Sequence, residues 1–315
     1  MEPGTSFDPA GVIPACLLPF TADLEIDEVA FRKHLSGLAA VGGIRAITVN
    51  GHAAEVHALS FEEQRRCIEI ARDQLGSDLP IVAGIFSGDS RKAGRLAAMA
   101  TEAGADCLLV FPSEVIGMGG ALRPESARAH VEAVAESSDL PLILFQYPMG
   151  SGLGYSLETL VSFCEDFPTV RAIKDWSGDP HRHEQNIRAL HSLDRPVRVL
   201  STHSMWLLGS LVLGCDGLLS GAGSVIADLQ VKLWRAIEAG DLEGARAVND
   251  RIFPTVKAFY ADPLFDMHNR MKEALFLMGR LPEAHVRPPL VKLPGGEIER
   301  IRTHLQDAGL LAKDG

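Results

Sequence analysis

The chain has no run of lysine or arginine, no CxxC pair and no glycine-rich loop after its first apolar segment. Each absence removes a class of function. With 41 acidic against 30 basic residues the net charge is −11. Such a chain has no electrostatic footprint for nucleic acid or an anionic membrane surface. The five cysteines, at positions 16, 67, 107, 164 and 215, are odd in number and widely spaced. Cys16 and Cys107 lie inside apolar runs. They read as reduced core residues of a cytoplasmic protein, not as a disulfide framework or zinc site. Without a phosphate loop, a dinucleotide-binding fold is disfavoured. No apolar run approaches the length of a transmembrane helix. The first five residues have neither the basic nor the apolar part of a signal peptide, so no secretory leader is expected.

What is present is an ordinary globular balance, 46% hydrophobic and 23% charged over 315 residues. Residues 1–10 read as a loose leader. Short apolar runs then alternate with helical patterns. The strand candidates are 12–18, 44–50, 80–86, 106–111, 141–147, 170–175, 197–201 and 216–220. Strands buried on both faces of a parallel sheet read this way. The helical segments between them carry caps. Ser60-Phe61-Glu62-Glu63 is a capping box, and Gly42, Gly76 and Gly104 follow helix ends. Eight strand–helix pairs predict a (β/α)₈ TIM barrel, with a doubly wound open sheet as the runner-up. After Ser220 only helical patterns remain. The expected division is a barrel over 1–239 and a C-terminal helical domain over 240–315.

The stretch Val170-Arg171-Ala172-Ile173-Lys174-Asp175 reads as a buried strand ending on a lysine. Alternation puts Val170, Ala172 and Lys174 on one face and Arg171, Ile173 and Asp175 on the other. An ammonium among apolar side chains is costly, so the pKa of Lys174 should fall, and such an amine can attack a ketone. Catalytic groups of a barrel sit at the C-terminal strand ends. There the sequence places Lys174, Tyr147, the Gly51-His52-Ala53-Ala54-Glu55 loop, Ser201-Thr202-His203 and Ser220-Gly221-Ala222-Gly223. A lysine, a phenol, an imidazole and small hydroxyls at one mouth suit Schiff-base chemistry on a carbonyl acid. His181 and His183, in a polar turn, read as solvated.

These residues resemble the dihydrodipicolinate synthase / N-acetylneuraminate lyase family of class I aldolases. The likeness runs from about residue 11 to about 293. It rests on Gly51-x-x-x-Glu55 with Leu59-Ser60-x-Glu62-Glu63, on Ile173-Lys174-Asp175-x-Ser177-Gly178-Asp179, on Gly214-x-x-Gly217-x-x-Ser220, and on Arg287-Pro288-Pro289-Leu290. The resemblance implies a lysine imine, no metal or organic cofactor, a 2-oxo acid substrate and a homo-oligomer, tetramer or dimer.

The departures bear on substrate. The family's paired threonines in the strand-two loop are His52 and Ala53 here. Its strand-five tyrosine, in Tyr-Asn-x-Pro, is Phe145. The arginine that the dihydrodipicolinate synthases carry two residues past that proline is Gly150. The family's Pro-Tyr-Tyr is Pro112-Ser113-Glu114. The expected site is therefore Lys174 as nucleophile with Tyr147 and His52 as proton relay. Gly51, Ala53, Phe145, Ser201, Ser220 and Gly221 are expected around the substrate. The expected activity is a Schiff-base lyase, aldolase or dehydratase, on a 2-oxo acid or sugar acid. The alternatives are a 4-hydroxy-tetrahydrodipicolinate synthase and a non-catalytic carbonyl-acid binder.

Overall fold

In the computed structural model, residues 7–313 are described. Eight parallel strands run in the order β1-β8-β7-β6-β5-β4-β3-β2. Bridges of Val12 to Ile44 and of Ala15 to Thr48 join β1 to the β2 side, so the sheet closes into the expected (β/α)₈ barrel with helices outside and a helical tail. The first half holds β1 (Gly11–Pro14), α1 (Glu28–Ala39), β2 (Ile47–Val49), α2 (Phe61–Leu75), β3 (Ile81–Ile85), α3 (Ser90–Glu102), β4 (Cys107–Val110) and α4 (Pro124–Ala135). The second half holds β5 (Leu142–Gln146), α5 (Leu157–Asp166), β6 (Val170–Asp175), α6 (Pro180–His191), β7 (Arg198–Ser201), α7 (Leu207–Val212), β8 (Gly217–Ser220) and α8 (Gly223–Glu238). The tail is α9 (Leu242–Phe259), α10 (Met267–Leu277) and α11 (Gly295–Asp307).

Local chemistry explains the helix starts. The Asp27 side chain accepts the Ala30 N–H at the start of α1, and Ser60 and Glu63 form the reciprocal capping box of α2. Strands are shorter than the apolar runs that announce them. β1 ends at Pro14; the Ala15 N–H still reaches Ser220 O of β8 (3.0 Å), and the next buried residues bond elsewhere, Cys16 N–H to Thr48 O (2.9 Å) and Leu17 N–H to Ser224 Oγ (2.9 Å). The expected loose leader is corrected in part. Asp8 pairs with Arg198 (2.9 Å), while residues 1–6 lie outside the described residues.

The strand-two loop is held in an uncommon shape. Asn50 and Glu55 both sit at φ 54°, in the left-handed region that non-glycine residues rarely adopt. On its β3 side Gly84 has to be glycine, because a Cβ there would collide with the Asn50 carbonyl. On the other side the tail holds it. Lys272 Nζ of α10 donates to Glu55 Oε1 (2.5 Å) and to His285 O (2.8 Å), and the Arg287 N–H donates to Glu55 Oε2 (2.9 Å). Arg287 also grips Glu63 (2.5 Å), and both cations lie 4.5 Å from the Phe20 ring centre. The tail is thus bolted to the loop that borders the barrel mouth.

Candidate active site

Register fixes which side chains enter the barrel. Lys174 pairs with Phe145 of β5 and Leu200 of β7, while Asp175 pairs with Gln146 and Ser201. Residues level with one another in a parallel sheet share a face. Lys174 and Phe145 therefore share the inner face at the C-terminal end, and Asp175 and Ser201 turn to the helices. The Lys174 amine lies 4.0 Å from the Phe145 ring centre and is 6% exposed. Burial lowers its pKa from 10.5 to about 7, which makes the nucleophilic free amine accessible near neutral pH.

A chamber of about 60 Å³ opens around this amine. His52, Ala53 and Phe145 line one side, and Trp176, Thr202 and Gly221 continue it. Tyr260, Met267 and His268 come from the tail. A larger cavity, of about 360 Å³, lies outside the barrel between α1 and α8, beside Lys33 and Arg280 and away from Lys174. Size does not locate the chemistry here.

Tyr147, two residues past Phe145, packs its ring 4.4 Å from that of Phe145 and is hydrogen-bonded through its hydroxyl to His52 Nε2. Burial raises the phenol's pKa well above 10. Burial first, and then the nearby Lys174 charge, push His52 well below 6.5. The contact therefore joins a neutral phenol to a neutral imidazole, a pair through which a proton can pass. An imidazole wedged among Phe86, Phe111 and Phe145 stays neutral.

Two expected residues lie elsewhere. Ser201 is outside the chamber, its Oγ accepting the His203 N–H (3.1 Å). Ser220 is outside too, its Oγ accepting from Gln230 (2.9 Å) on the helix side. Gly51 sits just behind the chamber wall, where a Cβ would meet Thr48 and Ala15 at 3.9–4.0 Å. His268 was not anticipated. It packs on Gly221, where a Cβ would stand 2.9 Å from His268 Nε2. Burial first, and then the Lys174 charge, hold it neutral with a pKa of about 3. It has no hydrogen-bond partner among the described residues.

Behind Lys174, Asp175 anchors the strand end. Its carboxylate takes the Ser177 N–H (2.7 Å), the Asn186 amide (2.9 Å) and His183 Nδ1 (2.9 Å), with His203 Nε2 at 3.4 Å. Burial opposes the charge, but the bonds from His183 and His203 prevail and keep Asp175 ionised. His183 is therefore not solvated, and its Nε2 pairs with Ser210 Oγ (2.7 Å); His181 remains on the surface with Gln185. The ligand atoms of Asp175, His183 and His203 lie within 4.8 Å of one another, close enough to share an ion. Both His183 nitrogens and the carboxylate are already engaged in bonds within the chain, so the cluster reads as a buried hydrogen-bond network.

A model described as the dihydrodipicolinate synthetase family matches residues 8–308. The 4-hydroxy-tetrahydrodipicolinate synthase of Methanopyrus kandleri is 30% identical over 312 residues, covering 98% of this chain and 99% of its own. The enzyme of that name from Syntrophus aciditrophicus is 32% identical over 301 residues, covering 96% and 99%. Among solved structures, the chloride-inhibited dihydrodipicolinate synthase from Acinetobacter baumannii, complexed with pyruvate, is similar at a TM-score of 0.83 and 26% identity, covering 96% of this chain and 99% of that one. With the family model spanning nearly the whole chain and the lysine motif at the barrel mouth, the chain belongs to the dihydrodipicolinate synthetase family.

Proposed function

We propose that Lys174 forms an imine with a 2-oxo acid and that the chain is a Schiff-base lyase. The observation that carries this is a buried lysine, its amine set over the Phe145 ring in a chamber at the C-terminal mouth, where burial lowers its pKa toward neutrality. In cleavage, the amine adds to the C2 carbonyl and water leaves. The substrate's C4 hydroxyl gives its proton to the Tyr147 oxygen as Tyr147 passes its own proton to His52 Nε2. The C3–C4 bond breaks, its electron pair runs into the iminium to give an enamine, and an aldehyde departs. The proton returns through Tyr147 to C3, and water hydrolyses the imine. Condensation is the reverse. Gly51 and Ala53 keep this wall of the chamber small, and the first N–H groups of the turn at His52–Ala54, which have no partner inside the turn, suit the substrate carboxylate.

The same reading keeps residues 1–239 as the barrel and 240–315 as its helical closure. It holds the protein in the cytoplasm as a homo-oligomer. No helix among the described residues is long and apolar enough to cross a membrane. Val115, Met118 and Leu122 expose apolar surface in the loop after β4 (69%, 95% and 85%), which supports contact with a second copy.

Incubation with pyruvate and borohydride tests the imine. The reduced adduct is expected on Lys174 by mass spectrometry and absent in Lys174→Ala. An adduct that persists in that variant, or none with any oxo acid, rejects the lyase reading.

A further inference from the structure

Within the chamber, Lys174 is the only lysine or arginine among the described lining residues, and it is consumed by the imine. Gly150 offers no side chain past the strand-five proline. The two imidazoles that line the chamber, His52 and His268, are both held neutral, by burial first and then by the Lys174 charge. The wall opposite the barrel floor comes from the tail: Tyr260, Met267 and His268. A carboxylate or phosphate placed against this wall would lose hydration and meet no further lysine or arginine among the lining residues, and Lys272 behind the wall is already paired with Glu55, so its burial is costly. A neutral carbonyl compound has no such charge to desolvate. Its polar group would meet His268, a neutral ring with an open donor and an open acceptor beside Gly221. A chamber of about 60 Å³ suits a short arm.

We infer that the second substrate is a short, uncharged aldehyde, selected by the tail residues His268 and Met267. This deepens the lyase reading and rests on it. The pyruvate enamine attacks the aldehyde carbon through C3, forming the new C–C bond. The carbonyl oxygen takes its proton from Tyr147, and hydrolysis of the imine releases a 4-hydroxy-2-oxo acid with an uncharged substituent. No oxidant or other reactant is needed.

The test measures condensation of pyruvate with propionaldehyde, succinic semialdehyde and glyoxylate by the full-length protein, alongside borohydride trapping with pyruvate alone. The propionaldehyde kcat/KM is expected to exceed those of the two anionic aldehydes by at least about tenfold, the lower bound of a missing charge-assisted contact. His268→Arg, and independently Met267→Arg, put a cation on the wall. Each is expected to move the preference toward succinic semialdehyde by about tenfold or more. Trapping of pyruvate together with equal or better use of the anionic aldehydes overturns the inference. So does trapping with no turnover of propionaldehyde, or a preference that stays unmoved in whichever of the two variants folds. Failure to trap pyruvate rejects the lyase reading itself and is thereby distinguished.

Discussion

The Tyr147 hydroxyl is hydrogen-bonded to His52 Nε2 from the position two residues beyond Phe145, whose ring carries the Lys174 amine at 4.0 Å. The residue beside the amine thus cannot move protons, and the nearest phenol acts from nearer the mouth, paired with a neutral imidazole. Tyr147→Phe removes the exchangeable proton and His52→Ala removes the phenol's hydrogen-bond partner. Each is expected to lower kcat by about 10²–10⁴-fold, while borohydride still traps the imine on Lys174. Near-normal turnover in both variants would falsify the relay.

The rate of imine formation should follow the free amine. With Lys174 titrating at about 7, the trapping rate with pyruvate is expected to rise as pH increases through about 7 and to level off above about 8. His52 and His268 are neutral throughout that window, so they add no second inflection there. A rate that climbs only near the pKa of an ordinary lysine, about 10.4, means the amine is solvated and charged.

Burial of Lys174 also costs stability, with a definite sign. The folded chain holds this proton less tightly than the unfolded chain, so stability rises with pH between about 7 and 10.5. The penalty is fully present below about pH 7. Lys174→Met lacks it, and is expected to be more stable than the parent at pH 6 by on the order of a few kcal/mol, since each tenfold loss of proton affinity is worth about 1.4 kcal/mol. The advantage should fade as pH approaches 10.5. Urea melts at several pH values check this, and a difference that does not change with pH counts against the buried-amine account.

The barrel was legible because strands buried on both faces must be apolar throughout, and each helix between them carries a cap. Strand ends were less so. Leu17 and Leu18 are as buried as Val12, but they lie past the ladder, and hydropathy cannot tell the two apart. Lys174 and Tyr147 were found through strand parity, which needs no partner strand. Ser201 and Ser220 were misplaced because their facing depends on register: Ser201 is level with Asp175, not Lys174. His268 was missed because a helix some 90 residues downstream folds back over the mouth. One signal was available. Asn269, Arg270, Lys272 and Glu273 are all buried in α10, and a helix that dense in polar residues must meet polar partners wherever it docks.

Lys272 and Glu55 give the last prediction. The pair is buried, 2.5 Å apart, with side chains 1% and 2% exposed. Burial lowers the lysine's pKa and Glu55 opposes that shift. Lys272→Met leaves Glu55 with one oxygen unpaired and should cost about 3–5 kcal/mol in urea unfolding. Adding Glu55→Gln removes the stranded charge, so the double variant should recover part of the loss, giving a coupling on the order of 1 kcal/mol or more. The pair also reaches the chamber. Lys272 lies four residues after His268, one turn along α10 on the same face, and Glu55 closes the loop that carries His52. Loosening the bolt should move both imidazoles against Lys174. The folded single variant is therefore expected to lose turnover beyond any loss in imine trapping. Additive single effects in the cycle would show that the two residues act independently and that the tail is held elsewhere.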